Sequence, residues 1–317
     1  MLDALLQGIL LGGYYAILAA GLSLMFGVVR FINLAHGDLA ILGAYLVLLV
    51  VEVLGLSPWL ALAVAVPAMA LLGWVLQATL FARTAKGGFL LPLLTTFGLG
   101  AVLQNGLYGL FGSDTKSLGN HIGNLSWASW QLPFGISVGQ LPVITFCVAV
   151  AVLGVLQLVL SFSRLGRAIR ATSSDPEAAE LSGIDAQSVH RAAAAIAFAL
   201  AGLAGAFLAM RAQINPYAGP AQLIFAFEAV VIGGIGSLWG TLIGGIVLGV
   251  AQSLGATVSA QGFQLAGHLV FLIVLGARLY RARGHRQGRW YNLFRLPVLP
   301  SRRAGATTSQ AISEGRS

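Results

Sequence analysis

Residues 229–277 hold no Asp, Glu, Lys or Arg, and that single stretch decides most of what the chain can become. As helix its 49 residues would extend about 73 Å at 1.5 Å per residue, more than twice the roughly 30 Å hydrocarbon core of a bilayer. It must therefore cross more than once. Other charge-free stretches occupy 4–29, 53–82, 87–113, 117–163, 192–210 and 212–227. Charged residues make up 9% of the chain, against about 25% in a soluble domain. That shortfall excludes an ordinary soluble globular protein, and the 57% apolar content excludes disorder. The fold class is all-α: an integral membrane protein, a polytopic bundle of about 8–9 transmembrane helices, some of them interrupted.

Nine spans are read, at about 4–28, 36–55, 59–82, 89–112, 141–162, 192–211, 222–236, 238–258 and 262–279. Glycines or charges interrupt the second, seventh and ninth. Residues 117–140 are turn-rich, with Gly119, Asn120, Gly123, Asn124, Pro133 and Gly135, and helix resumes near Leu141. Met1-Leu2-Asp3 lacks the basic start of a signal peptide, so the first span reads as retained. Cys147 is alone, which excludes a disulfide framework and a multi-cysteine metal site, and it reads as core. Lys and Arg give the orientation. An outside N-terminus places Arg30, Arg83, Lys86, Arg164, Arg167, Arg170, Arg191 and the arginines from Arg278 onward inside, leaving Lys116 and Arg211 outside. The net charge of +8 thus lies in loops and a tail, which argues against nucleic acid as a partner. A membrane-spanning domain is expected over 1–283, with a cytoplasmic loop at 163–190. A basic tail at 284–317, partly disordered and held near anionic lipid, completes the chain.

Three stretches depart from simple lipid-facing helix. The first is Arg30-Phe31-Ile32-Asn33-Leu34-Ala35-His36-Gly37-Asp38. Polar groups beside apolar spans are costly and tend to face a bundle interior or a cavity. Asn33 and His36, three apart, would share a face of a helical turn. Asp38 would cap the following helix; the alternative is an ordinary capped turn. The second stretch is Gly233–Gly245, with Gly234, Gly236, Ser237 and Thr241. Its glycines either let helices pack closely or let one break to line a pathway. Aligning Gly37-Asp38-Leu39 with Gly240-Thr241-Leu242 gives a faint internal echo, and interrupted segments in corresponding halves point to a transport site. Glu228, just upstream, is the most buried-looking carboxylate. The third stretch is the loop 163–185, in which 176–182 reads as a short helix. Asp175 is its N-cap with Pro176 as first residue, or Ser174 and Glu177 form a capping box, and Gly183 ends it. Ala178, Leu181 and Ile184 would supply its small apolar face.

On these segments, and on Arg164-Leu165-Gly166-Arg167-Ala168-Ile169-Arg170-Ala171 and Ile214-Asn215-Pro216-Tyr217, the chain resembles the inner-membrane permease subunit of bacterial branched-chain amino acid ABC importers. The likeness covers about residues 4–277; the arginine-rich tail departs from it. The resemblance implies a second permease subunit, in a heterodimer, together with two cytoplasmic ATPases and a periplasmic substrate-binding protein. It makes the third stretch a coupling helix docked on an ATPase, carried by Asp175, Glu177, Ala178, Glu180, Leu181, Gly183 and Ile184. It makes Asn33, His36, Gly37, Gly234, Gly236, Ser237 and Thr241 candidates for the pathway lining. No G-x-x-x-x-G-K-[ST] phosphate cradle occurs, so ATP and Mg belong to the partner, no cofactor is expected on this chain, and it is not itself an enzyme. Branched-chain or related amino acids are the implied cargo, with urea or short amides as the alternative. An ion-coupled carrier would rest on Asp38 and Glu228. An enzyme would rest on His36 and Asp38, which point to different helix faces.

Overall fold

The first helix, α1 (Leu2–Val29), has Asp3 in its first turn and ends at Arg30, whose φ of 64° is left-handed. The computed structural model describes residues 1–132 and 136–284. The turn positions Pro133 and Gly135 and the expected tail beyond Gly284 lie outside the described residues. Seventeen residues of α1 are buried, because α6, α7, α9, α10 and α11 all pack on it. Next come α2 (His36–Leu54) and α3 (Pro58–Leu76), the latter capped by Ser57 with Pro58 at its first position. A π turn at Gln77–Phe81 joins α3 to the three-residue α4 (Ala82–Thr84), and α5 (Leu90–Phe111) follows. A two-stranded antiparallel hairpin, β1 (Ser129–Leu132) with β2 (Ile136–Gly139), precedes α6 (Gln140–Phe162). The chain continues through α7 (Arg164–Ser174), α8 (Pro176–Leu181), α9 (Ala186–Arg211), α10 (Gly219–Gly233), α11 (Leu238–Ala256) and α12 (Gly262–Gly284). One unit covers Met1–Leu275; a second begins at Gly276, and its described part continues α12.

Eight of these helices are long and apolar enough to cross a bilayer. The seventh expected span is not among them. α10 has 15 residues, about 22 Å of helix, short of a 30 Å core. Ile214 pairs with Lys116 in an isolated bridge, and the chain turns at Asn215–Ala218 before α10 starts inside the bundle. Two further expectations are corrected. α9 starts at Ala186 rather than 192, because Asp185 caps it by accepting from the Gln187 amide. Cys147 is exposed on the outer face of α6 rather than in the core.

Packing around α1 is set by small residues. α11 lies antiparallel to it, with Gly8 against Val250 and Gly12 against Ile246. A Cβ on either glycine would sit 2.5 Å from a backbone Cα of α11. Gly245 and Gly249 answer from the other side, meeting the carbonyls of Gly12 and Gly8. Small residues four apart let backbones touch, the arrangement that apolar helices use when no hydrophobic gain separates partner from lipid. α9 packs its alanine-rich faces on α1, α2 and α3, whereas α3, α5 and α6 stay mostly exposed with apolar surface, as a lipid-embedded helix requires. Arg30, Arg167, Arg170 and Arg191 lie at one end of the bundle and Lys116 and Arg211 at the other.

Candidate functional site

Two helices begin inside the bundle. After Arg30 the chain runs back along α1 until His36 Nε2 donates to the Leu18 carbonyl at 2.9 Å. Leu18 is eleven residues short of Val29, about 16 Å into the bundle. In residues 30–35 the Asn33 side-chain oxygen accepts from the Ala35 amide (3.1 Å) and Thr96 Oγ1 of α5 accepts from the Leu34 amide (3.1 Å). A free helix start in an apolar interior needs such partners, since each orphaned amide costs about 1–3 kcal/mol. Asn33 therefore lies outside the helix and turns back on Ala35, so it does not share a helical face with His36 as the spacing implied. Both are fully buried, and neither Asn33 Nδ2 nor His36 Nδ1 has a hydrogen-bond partner among the described residues.

Gly37 packs on the N-terminus of α10: a Cβ there would lie 2.7 Å from the Leu223 nitrogen and would collide with the Gly219 carbonyl. Asp38 does not cap α2. Its position on the helix side turns it toward α5, where Oδ1 accepts from Gln104 Nε2 at 2.9 Å, and it lies against Gly100 and Gly219. A second buried polar group stands nearer α12. Glu228 Oε1 meets His268 Nδ1 at 2.5 Å, Tyr15 OH donates to Gln252 Oε1 at 2.5 Å, and Tyr14 OH donates to Gln222 Oε1 at 2.6 Å. Thr96, Gln104, Gln222, Gln252, His268 and the two tyrosines were not singled out in the sequence. Their signal was available, as each is a polar group in an otherwise apolar span.

The second stretch forms the tight turn between α10 and α11. Gly234 (φ 99°) and Gly236 (φ 81°) adopt conformations that disfavour a side chain. Ser237 caps α11 by accepting from the Gly240 amide (3.0 Å), while buried Thr241 donates to the Leu238 carbonyl (2.6 Å). The turn is held to α1 by the Gly236 amide donating to Ser23 Oγ (3.0 Å). A cavity of about 410 Å³ separates Gly236 and Ser23 from Gln157 and Ser161 on α6 and from Ser173 on α7.

The third stretch is two helices, not one. α7 was missed, though Ser163 caps it by accepting from the Gly166 amide (2.9 Å) and Gly166, Ile169 and Thr172 form its buried stripe. Arg167 donates to the Phe162 carbonyl (3.2 Å) and Arg170 to those of Leu160 and Ser161, so both cover the carbonyl end of α6. α8 is capped by Asp175, whose Oδ1 accepts from the amides of Glu177 (3.0 Å) and Ala178 (3.1 Å), and Gly183 follows with φ 83°. Ser174 donates to the Arg170 carbonyl instead of closing a capping box. Glu177, Ala178, Glu180 and Leu181 are exposed, Leu181 at 92%, while Ala179 is the buried foot. Ile184 is corrected: it packs inward on the cluster of Leu24, Val28, Ile169, Val189 and Ala193 and does not extend the outer face.

The structure thus joins the second and third stretches across the 410 Å³ cavity and ties the first to the third through Arg30, which donates to the Ser173 and Ser174 carbonyls. The sequence profile of the branched-chain amino acid transport system / permease component family matches residues 4–279. The chain belongs to that family. This permease is 30% identical over 286 residues to the high-affinity branched-chain amino acid transport system permease protein BraD of Pseudomonas aeruginosa, covering 86% of this chain and 93% of that one. It is 29% identical over 284 residues to LivH of Salmonella typhimurium, covering 86% and 92%. A weaker likeness, 26% over 293 residues, extends to the same organism's LivM, covering 82% of this permease and 66% of LivM. No solved structure matches. The permease is a multi-pass membrane protein, related to transport subunits rather than to enzymes.

Proposed function

We propose that the permease is the membrane-spanning subunit of an ATP-driven importer that moves branched-chain amino acids across the bacterial inner membrane by alternating access. The N-terminus faces the periplasm and the arginine-bearing end faces the cytoplasm. A second permease completes the pathway, a periplasmic binding protein delivers cargo, and two cytoplasmic ATPases supply ATP and Mg. The observation that carries this reading is α8, a six-residue helix with a full N-cap and an almost bare Leu181 on the arginine-bearing end. A helix this short is not stable alone, and an exposed leucine on a buried alanine foot is what a partner's groove can hold. ATP-driven closure of the ATPases then moves the spans as a rigid body. Asn33, His36 and Gly37 border the interior break before α2, and Gly234, Gly236, Ser237 and Thr241 form the α10–α11 turn; both are the places that such movement would open.

Leucine uptake with the ATPases made catalytically dead tests the reading: it should fall to background, and retained uptake would refute it. Leu181→Asp should abolish co-purification with the ATPase while leaving membrane insertion intact.

A further inference from the structure

We infer that Arg30 is a positioning residue: its guanidinium latches the end of α7, beside the base of α8, to the segment that carries Asn33 and starts α2. The inference rests on the importer reading for its driving force, but its geometry stands on this chain alone. Arg30 Nη2 donates to the Ser173 carbonyl and, at 3.3 Å, to the Ser174 carbonyl. These are the last two residues of α7, where unpaired carbonyls gather partial negative charge. The next residue, Asp175, is the N-cap of α8. On its other side Arg30 is the C-cap of α1 and opens the run of six residues to Ala35 that ends at buried His36.

The backbone supplies an independent argument. Arg30 is the only non-glycine residue with positive φ among the described residues. Glycine takes this conformation freely and commonly ends helices with it, whereas a long side chain does so at a cost. If the position only had to end α1, glycine would serve better. The strained arginine makes sense when its side chain has a task, and the one it performs is to hold the α7 terminus. Arg167 and Arg170 make α6 and α7 a single body by covering the α6 carbonyls. Displacement of α8 therefore reaches the interior break by a path of backbone and one guanidinium.

The test is the ratio of leucine imported to ATP hydrolysed, measured on the full assembly with its ATPases and binding protein in proteoliposomes. Arg30→Gly keeps the left-handed backbone and removes the latch. We expect ATPase association to be retained, hydrolysis to change less than about twofold, and the transport ratio to fall at least fivefold. A role confined to folding would lower yield or both rates together and leave the ratio unchanged, and an unchanged ratio overturns the inference. Arg30→Gln, uncharged and too short to reach both carbonyls, should lower the ratio in the same direction and serves if the glycine variant does not accumulate. The wild-type arm separates the two claims: wild-type uptake that proceeds without ATP sinks the importer reading, whereas a coupled wild type with an equally coupled Arg30→Gly sinks the latch alone.

Discussion

α2 and α11 are both 19 residues long, but α2 starts deep in the bundle beside Leu18, whereas α11 starts near the arginine-bearing end, close to Ser23, Gly27 and Arg170. α2 starts in a fully buried place, and its approach is satisfied by side chains, Asn33 from the same segment and Thr96 from α5. α11 starts from an exposed turn, where two glycines of positive φ reverse the chain and Ser237 caps it locally. Each start pairs a short-range acceptor, Asn33 or Ser237, with a tie to another helix, Thr96 or Ser23; what differs is that Asn33 is fully buried whereas Gly236 and Ser237 are exposed. Side-chain changes should therefore be severe at α2 and mild at α11.

The largest effect is expected from Gly37→Val, because the added carbons meet the backbone of α10 rather than a movable side chain. Such overpacking costs about 3 kcal/mol, so the variant should lose most of its folded, detergent-stable yield; recovery at wild-type levels would show that α2 and α10 can separate. Asn33→Leu comes next. It removes the acceptor of the Ala35 amide in a buried place, a loss of about 2 kcal/mol, readable as a lower midpoint in a thermal or SDS titration. The mildest is Ser237→Ala at the exposed cap, about 1 kcal/mol or less, since water can replace the hydroxyl there. Equal shifts for Asn33→Leu and Ser237→Ala would erase the distinction drawn between the two starts.

What could be read from the sequence divides by distance along the chain. Signals closed within a few residues were legible: Asp175-Pro176 as a helix start, Gly183 as its end, and the apolar runs as spans. The charge pattern that put Arg30, Arg167, Arg170 and Arg191 together, opposite Lys116 and Arg211, was also sound. What failed needed a neighbour from elsewhere in the chain. Asp38 reads as a cap until Gln104 is brought beside it, and Ile184 reads as outward until the Leu24 and Val28 side of α1 covers it. Asn33 and His36 share a spacing but not a helix, because the chain must run back into the bundle before α2 can begin. α10 looked like a full span since its glycine-rich end blends into the next helix. No local pattern announced that Glu228 would find His268 forty residues on.

One consequence concerns the seam of Gly8, Gly12, Gly245 and Gly249. With main chain resting on main chain there is no cushion of rotamers to absorb a slide, so a shift of even part of a residue would pry the two rods apart. α1 and α11 must travel as a single beam, and any rocking during a transport cycle has to hinge somewhere other than between them.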